Sequence, residues 1–363
     1  MPEQKAFWEE GYMDLIEINL IETVAAGPLI GLLGGLVLGL AARRGRFCTL
    51  GAIEDALYGQ DWDRIRMWGL ALAVAILGTF VSAHLGMVDI SESLYARQGW
   101  NPVASILGGL IFGYGMAIAG NCGYGALARL GGGDLRSLVI VIVTGVSAYL
   151  IQLGPLAPLR VYLFPAADPG KSHGYAHFIG ENFGFAPLVP AVLVAAGLAA
   201  VALVGLRAKP REMFWGAMVG LAITSGWIGT SLLAEHSFDV VVVESHSFTA
   251  PLGETLLFLM TGSAGGLNFA VGSVTGVVLG ALLGSISKGH FRWEACDDPG
   301  ELGRQILGGF LMGIGGVLAL GCSVGQGLTA FSTLAFSAPF VLAAIVAGAA
   351  LGLRQLIQGF EPV

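Results

Sequence analysis

Two of the four cysteines in this 363-residue chain stand in matching glycine-rich runs, Cys122 in GNCGYG (120–125) and Cys322 in GCSVGQG (321–327). A third, Cys48, ends RRGRFC, and the fourth, Cys296, lies in FRWEACDDPGE beside acidic residues of the kind that raise a thiol's pKa. A thiol is a weak hydrogen-bond donor, and its thiolate is a nucleophile and metal ligand. The chain has no C-x-x-C pair, no zinc-type Cys/His spacing and no paired histidines in apolar segments, so no metal and no cofactor are expected. A lone cysteine in an apolar segment ordinarily packs as a small hydrophobe. Two cysteines placed alike at two glycine-broken helix ends favour function instead. The candidate site is therefore Cys122 and Cys322 with Gly120, Asn121, Gly123, Gly125, Gly321 and Gly325 around them, and Cys48 beside its arginines. A Cys122–Cys322 disulfide stays open if the two tips meet, and Cys296 is given no role.

The two runs belong to longer matching segments. Laid at a fixed offset of 200, ILGGLIFGYGMAIAGNCGYG (106–125) and ILGGFLMGIGGVLALGCSVG (306–325) agree at nine of twenty positions, including Gly108, Gly109, Gly113, Gly115, Cys122 and Gly125 with their partners. Self-similarity at a fixed offset is the mark of an internal duplication. In each half the cysteine is followed by a run too short and too glycine-broken to cross a bilayer, GNCGYGALARLGGGD and GCSVGQGLTAFSTLAFS, which predicts a helix break and a short re-entrant helix. Such backbone survives at membrane depth only if protein buries it or it lines a polar path, and the free N–H groups at a helix start favour an anion.

The elements that must position these residues are membrane helices. Hydrophobic residues make up 55% of the chain and charged ones 12%, with 57 glycines, against a charged share of about 25% in soluble domains. Nine crossings are predicted, at 27–42, 66–85, 104–120, 136–152, 188–206, 212–232, 270–287, 304–320 and 338–356. The acidic N-terminal run has no basic start before a short apolar core and is not a cleaved signal peptide. Of the 18 Lys and Arg residues, 14 collect in alternate connections, and Lys5, Arg97, Arg160 and Lys171 lie in the others. The positive-inside rule then places the N-terminus outside and the C-terminus in the cytoplasm. The net charge of −7 is that of solvated loops.

By that sidedness 104–120 runs inward and 304–320 outward, so the duplicated halves are inverted. The organisation expected is a periplasmic N-terminal segment (1–26), a first membrane repeat (27–152), a periplasmic loop and linking span (153–211) and a second, inverted repeat (212–356). Inverted repeats are a transporter architecture, with the site at midplane between the halves.

Several other residues invite weighing. The stretches 153–187 and 233–252 are acidic, Pro-bearing and weakly periodic, which predicts surface loops. His84 closes the second predicted span, His173, His177, His236 and His246 fall in external loops as solvated residues, and His290 is cytoplasmic. The arginines of RRGRFC anchor the helix end to headgroups or attract an anion, the former being the commoner use, and TLGAIEDALYG reads as a short helix. Trp215 and Trp227 suit interfacial or packing positions, although Trp227 lies in the region opposite the Cys48 segment, where lining the path is the alternative. Asn268 beside a span suits helix packing as well as ligand contact.

With RRGRFC, GNCGYG and GCSVGQGL in view, the chain resembles the YeeE/YedE sulfur-transport family of bacterial inner-membrane proteins over about residues 27 to 356. The resemblance implies an all-α polytopic fold in the bacterial inner membrane, and uptake of thiosulfate. It implies that Cys48, Cys122 and Cys322 are functional thiols holding the anion's terminal sulfur through S–H···S contacts, with small local movements. It also implies a cytoplasmic TusA-like sulfur-carrier partner. Asn121 departs from the pattern, which has glycine before the cysteine, as at Gly321. A neutral thiol suits conduction because it replaces part of an anion's hydration without holding it.

Three functions are in competition: a transporter of thiosulfate or a related sulfur anion, a selenium-compound or sulfite transporter on the same fold, and a membrane thiol oxidoreductase or sulfurtransferase exchanging Cys122 and Cys322. The last needs thiolate character, and no base stands beside either thiol in sequence. Partners are then a small sulfur anion, the lipid bilayer and the carrier protein, with no nucleic acid.

Overall fold

The computed structural model describes residues 26–165, 174–207, 209–237, 241–262, 266–295 and 298–359. Residues 1–25, His173, Lys171 and Cys296 lie outside them. The described chain is helical. Its helices in order are α1 (26–44), α2 (Thr49–Glu54), α3 (Asp63–His84), α4 (Leu94–Arg97), α5 (Pro102–Ala119), α6 (Gly123–Leu130), α7 (Leu135–Gln152) and α8 (Ala157–Leu163). There follow α9 (Tyr175–Phe183), α10 (Leu188–Leu206), α11 (Pro210–His236), α12 (Ala250–Thr261), α13 (Phe269–Ile286), α14 (Pro299–Leu318) and α15 (Ser337–Gln358). Among the described residues extended pairing is limited to two isolated bridges, Ser93 with Val243 and Asp134 with Glu294.

Among the described residues, eight helices are long and apolar enough to cross a membrane, so the chain is a multi-pass membrane protein. They match the predicted spans to within a few residues, except that the first and third continue past their breaks as Ala26–Gly59 and Pro102–Leu130 and that α11 extends to His236. The ninth predicted span, 304–320, corresponds to α14 of 20 residues. That helix is less apolar along its length because Glu301, Arg304 and Gln305 stand in its first turns, and it packs against α5 and α7.

Helix ends follow local chemistry. Asn101 caps α5 by accepting the Ala104 N–H at 3.1 Å, Pro102 follows at the first turn where no N–H is needed, and Gly120 closes the helix in the left-handed region at φ +77°. Asn268 is the N-cap of α13, accepting from Val271 N at 3.0 Å while its amide donates to Glu254 at 3.1 Å, which is the packing role.

Packing rests on backbone approach. Along α1 and α13, a Cβ on Gly31, Gly35 or Gly39 would lie 2.2–2.3 Å from the carbonyl oxygens of Phe269, Ser273 and Val277, and one on Gly272, Gly276 or Gly280 would lie 2.0–2.3 Å from those of Pro28, Leu32 and Leu36. The two glycine ridges, each spaced by four residues, therefore interlock, as small residues do where lipid gives no hydrophobic drive between helices. α5 and α14 meet reciprocally: a Cβ on Gly115 would stand 2.7 Å from Gly308 O, and one on Gly308 2.6 Å from Gly115 O, with Gly108 and Gly315 in the same relation at 2.7 Å each way. α5 packs also on α15 and α14 on α7, while α3 packs on α10 and α11. Between these groups lie α2, α6 and the short helix 323–332, π-helical over Gly325–Ala330.

One expected surface loop stays at the surface but is helical, and the other is corrected. Residues 153–187 contain α8 and α9, the latter seating Gly174 and Tyr175 against Leu334, whose carbonyl accepts the Tyr175 N–H at 2.9 Å. Most of 241–249 is threaded inside the protein rather than solvated: Ser245, His246, Phe248 and Thr249 are buried. A strand-like segment inside a helical bundle must find partners for its polar groups; Val243 O takes the Leu94 N–H at 3.3 Å, and the other partners are side chains. Thr230 bonds both the N–H and the carbonyl of Glu244, Ser245 donates to Ile223 O, and Thr329 donates to His246 O. His246 is therefore no solvated loop histidine; its ring pairs with Ser273 Oγ at 2.7 Å. His84, His236 and His290 are exposed and His177 half-buried.

Candidate functional site

The three described cysteines share one local geometry. Cys48 precedes α2, Cys122 precedes α6 and Cys322 precedes helix 323–332, and each sulfur accepts a backbone N–H from three residues on: Gly51 at 3.5 Å, Gly125 at 3.4 Å and Gly325 at 3.3 Å. A cysteine so placed occupies the N-cap position that Ser, Thr, Asp or Asn usually fill. The sulfur acts as acceptor toward the helix start, so the S–H proton is left to be donated elsewhere. All three are free thiols, which closes the disulfide question.

Each break follows from its sequence. The chain leaves α5 through Gly120 at φ +77° and leaves α14 through Leu320 at φ +59°, a left-handed turn that costs a branched residue more than glycine. Gly321 follows at φ +153°, a conformation that side chains rarely adopt. The second break is then secured by Gln326, buried, whose amide donates to the carbonyls of Ala319 at 2.8 Å and Leu320 at 3.1 Å. The first break instead takes Arg129, donating to Gly120 O at 3.3 Å.

Tertiary packing brings the three breaks together. Thr49, directly after Cys48, donates to the hydroxyl of Ser323, directly after Cys322, at 3.1 Å. The Cys122 thiol has Ser323, Cys48 and Cys322 as its polar neighbours. Cys122 and Cys322 are fully buried and Cys48 is half-buried against the same apolar cluster. The buried segment 241–249 closes one side: Phe248 donates its N–H to Cys322 Sγ at 3.2 Å, and Ser247 Oγ lies 3.9 Å from the same sulfur. Phe248 also packs on Tyr124 with ring centroids 5.4 Å apart, and the Tyr124 hydroxyl donates to Leu38 O at 2.6 Å. A Cβ on Gly123 would stand 2.5 Å from Phe248 O, so glycine at 123 lets this segment pass.

Thus Gly125 and Gly325 supply the N–H groups that hold two thiols, Gly120 and Gly321 turn the backbone, Gly123 makes room, and Asn121 is buried beside Cys122. Sequence reasoning missed Thr49, Ser323, Ser247, Phe248 and Gln326. Ser323 and Thr49 were within reach, since each follows a singled-out cysteine; Ser247 and Phe248 carried no local signal.

The arginines before Cys48 tie helices together. Arg43 Nε donates to Ser285 Oγ at 2.8 Å and Arg44 Nε to Ser287 Oγ at 3.1 Å, joining the end of α1 to that of α13. Lys288 donates to Arg43 O at 2.9 Å; partial burial and the charges of Arg211, Arg46, Arg44 and Arg43 hold its ammonium below the usual lysine range. The guanidinium that lies over the start of α2 is that of Arg64, 2.1 Å from where a Cβ on Gly51 would sit, itself paired with Asp55 at 3.0 Å. Trp227 is buried, donating to Ser332 Oγ at 2.9 Å, and Trp215 packs against Gly45.

Three thiols, with the hydroxyls of Ser323, Thr49 and Ser247 around them, therefore lie together at the junction of three helix starts, and the N–H groups of Gly51, Gly125, Gly325 and Phe248 are engaged by the sulfurs. The sulphur-transport family model matches residues 44–351, a stretch that includes all three thiols and both breaks. The chain belongs to the sulphur-transport family. Among curated relatives, the thiosulfate transporter TsuA of Spirochaeta thermophila is 28% identical over 321 residues, covering 85% of this chain and 92% of that protein. The thiosulfate transporter TsuA of Escherichia coli is 26% identical over 342 residues, covering 83% and 86% respectively.

Proposed function

We propose that this chain is a transporter, not an enzyme, that imports thiosulfate across the bacterial inner membrane along a path formed by Cys48, Cys122 and Cys322 with Gly120, Asn121, Gly123, Gly125, Gly321 and Gly325. Two relatives named as thiosulfate transporters, matched over most of their length, support the substrate. The observation that carries the path is the common N-cap geometry: each sulfur is engaged by an N–H three residues on, so each S–H is directed away from the helix it caps. Thiosulfate offers a terminal sulfur and three oxygens as acceptors. Neutral thiols replace part of its hydration weakly enough to release it, whereas a ring of cations at the constriction would trap a dianion.

The reciprocal glycine contacts of α5 and α14 support two inverted repeats, 27–152 and 212–356, flanked by the N-terminal segment 1–26 and joined through 153–211. The alternation of basic connections supports a periplasmic N-terminus and a cytoplasmic C-terminus. The basic cluster of Arg43, Arg44, Arg46, Arg211 and Lys288 then faces the cytoplasm, where a TusA-like sulfur carrier would receive the anion. The thiols' partners are backbone N–H groups and hydroxyls rather than a carboxylate or imidazole, which supports transport over thiol exchange.

The test is growth of a thiosulfate-uptake-deficient bacterium on thiosulfate as sole sulfur source. The intact gene is expected to restore growth, and Cys122→Ala or Cys322→Ala to abolish it at equal membrane levels. Full growth with both variants overturns the thiol path. No growth with well-inserted intact protein overturns thiosulfate as substrate and moves the assay to selenium compounds and sulfite.

A further inference from the structure

Asn121 is 2% exposed, and both its amide nitrogen and its amide oxygen lack a partner. A buried carboxamide has two donors and an acceptor to satisfy, and leaving them empty is costly. The matching position in the second break is Gly321, which has no side chain. Its neighbourhood is filled by Gln326, whose Cγ would lie 3.3 Å from a Cβ there. That amide is spent: its nitrogen donates to Ala319 O and Leu320 O, and its oxygen accepts from Ser337 Oγ at 3.4 Å. In the first half Ala126 stands where Gln326 would, so the two breaks each carry one buried amide, one used by the fold and one unused.

The residue that carries the unused amide directly precedes Cys122, and its Cβ lies on the same side of the Gly125 backbone as the Cys122 thiol. Asn121 Cβ lies 3.1 Å from where a Cβ on Gly125 would sit, and that same point is 3.8 Å from Cys122 Sγ. Gly125 N in turn is the donor to that sulfur. Resting on the transport reading above, we propose that Asn121 is a specificity-determining residue whose amide N–H groups bind the oxygens of the passing oxyanion while the Cys122 thiol meets its terminal sulfur. The first break thereby selects ligands that carry oxygen and sulfur acceptors side by side, and the second, with Gly321, selects less strictly. Tight desolvated donors of this kind discriminate most strongly against ligands that lack the matching acceptor.

The experiment measures uptake of radiolabelled thiosulfate by the full chain in proteoliposomes, and thiosulfate binding and thermal unfolding in detergent, for intact protein, Asn121→Ala, Asn121→Asp and Cys122→Ala. Asn121→Ala is expected to raise KM by about tenfold or more, the worth of a hydrogen bond to a charged acceptor, with Tm unchanged or higher because no protein group loses a partner. Asn121→Asp, which replaces the donors with a like charge, is expected to lose more. An unchanged KM in Asn121→Ala while Cys122→Ala abolishes uptake overturns this inference alone. A lowered Tm with unchanged KM overturns it too, marking a structural amide. Absence of both uptake and binding in the intact protein overturns the transport reading and this inference together.

Discussion

Thr49 donates its hydroxyl to Ser323 Oγ across 3.1 Å, joining the residue after Cys48 to the residue after Cys322 over 274 positions of chain. Both side chains are buried, and Ser323 also neighbours the Cys122 thiol. One hydroxyl pair therefore fixes the three helix starts relative to one another. Ser323→Ala leaves the Thr49 hydroxyl buried without its acceptor, at a cost of about 1–3 kcal/mol. The expected result is a lower Tm and reduced thiosulfate uptake, with much of the stability restored in the double variant Thr49→Val/Ser323→Ala, where both partners are apolar. A single Ser323→Ala with unaltered Tm and uptake contradicts the linkage.

Gly123 lets the segment around Phe248 cross the first break, and a Cβ there would approach Phe248 O to 2.5 Å. Since a backbone carbonyl cannot swing aside as a side-chain end can, Gly123→Ala is expected to shift Phe248 and with it the N–H that Cys322 accepts. Uptake should fall at least tenfold, beyond any fall in membrane level. Gly303→Ala, with open space around it, is the control and should behave as the intact protein in the same assay.

Thiol reactivity separates the three cysteines. Cys122 and Cys322 are fully buried and Cys48 is half-buried. In a Cys296→Ser background, a maleimide applied to protein in detergent is expected to modify Cys48 first and the other two only slowly, as peptide mass spectrometry resolves. Added thiosulfate should slow modification of Cys48 if the anion passes it. Equal rates at all three positions are the contrary outcome.

The interlocked ridges of α1 and α13 set the bilayer packing. A side chain at Gly276 would meet Leu32 O at 2.3 Å, so Gly276→Val must separate the two helices. Because close approach supplies dispersion contact that lipid cannot, the variant is expected to show a Tm lower by several degrees and a smaller folded fraction on size exclusion. An unchanged profile overturns the ridge as a structural seam.

Sequence alone determined the membrane helices, because span length and apolarity are local properties fixed by bilayer thickness. It signalled the two breaks as well: GNCGYG and GCSVGQG disfavour a continuous helix, since glycine reaches backbone conformations closed to other residues and cysteine can cap the next turn, although the left-handed turn of the second break falls on Leu320. α14 was legible by its likeness to α5 even though its polar start dilutes its hydropathy. The segment 241–249 was misjudged because its polar residues, read locally, suit solvent as well as burial. Only the tertiary structure supplied Thr230, Thr329 and Cys322 as the partners that make burial affordable. The fold likewise decided that His246 is buried against Ser273, that Arg43 and Arg44 tie α1 to α13, and that Asn121 keeps an amide with no partner while Gln326 spends its own. Local sequence fixes where a helix starts and stops; which groups meet across hundreds of residues depends on packing, and that is what brought the three thiols together.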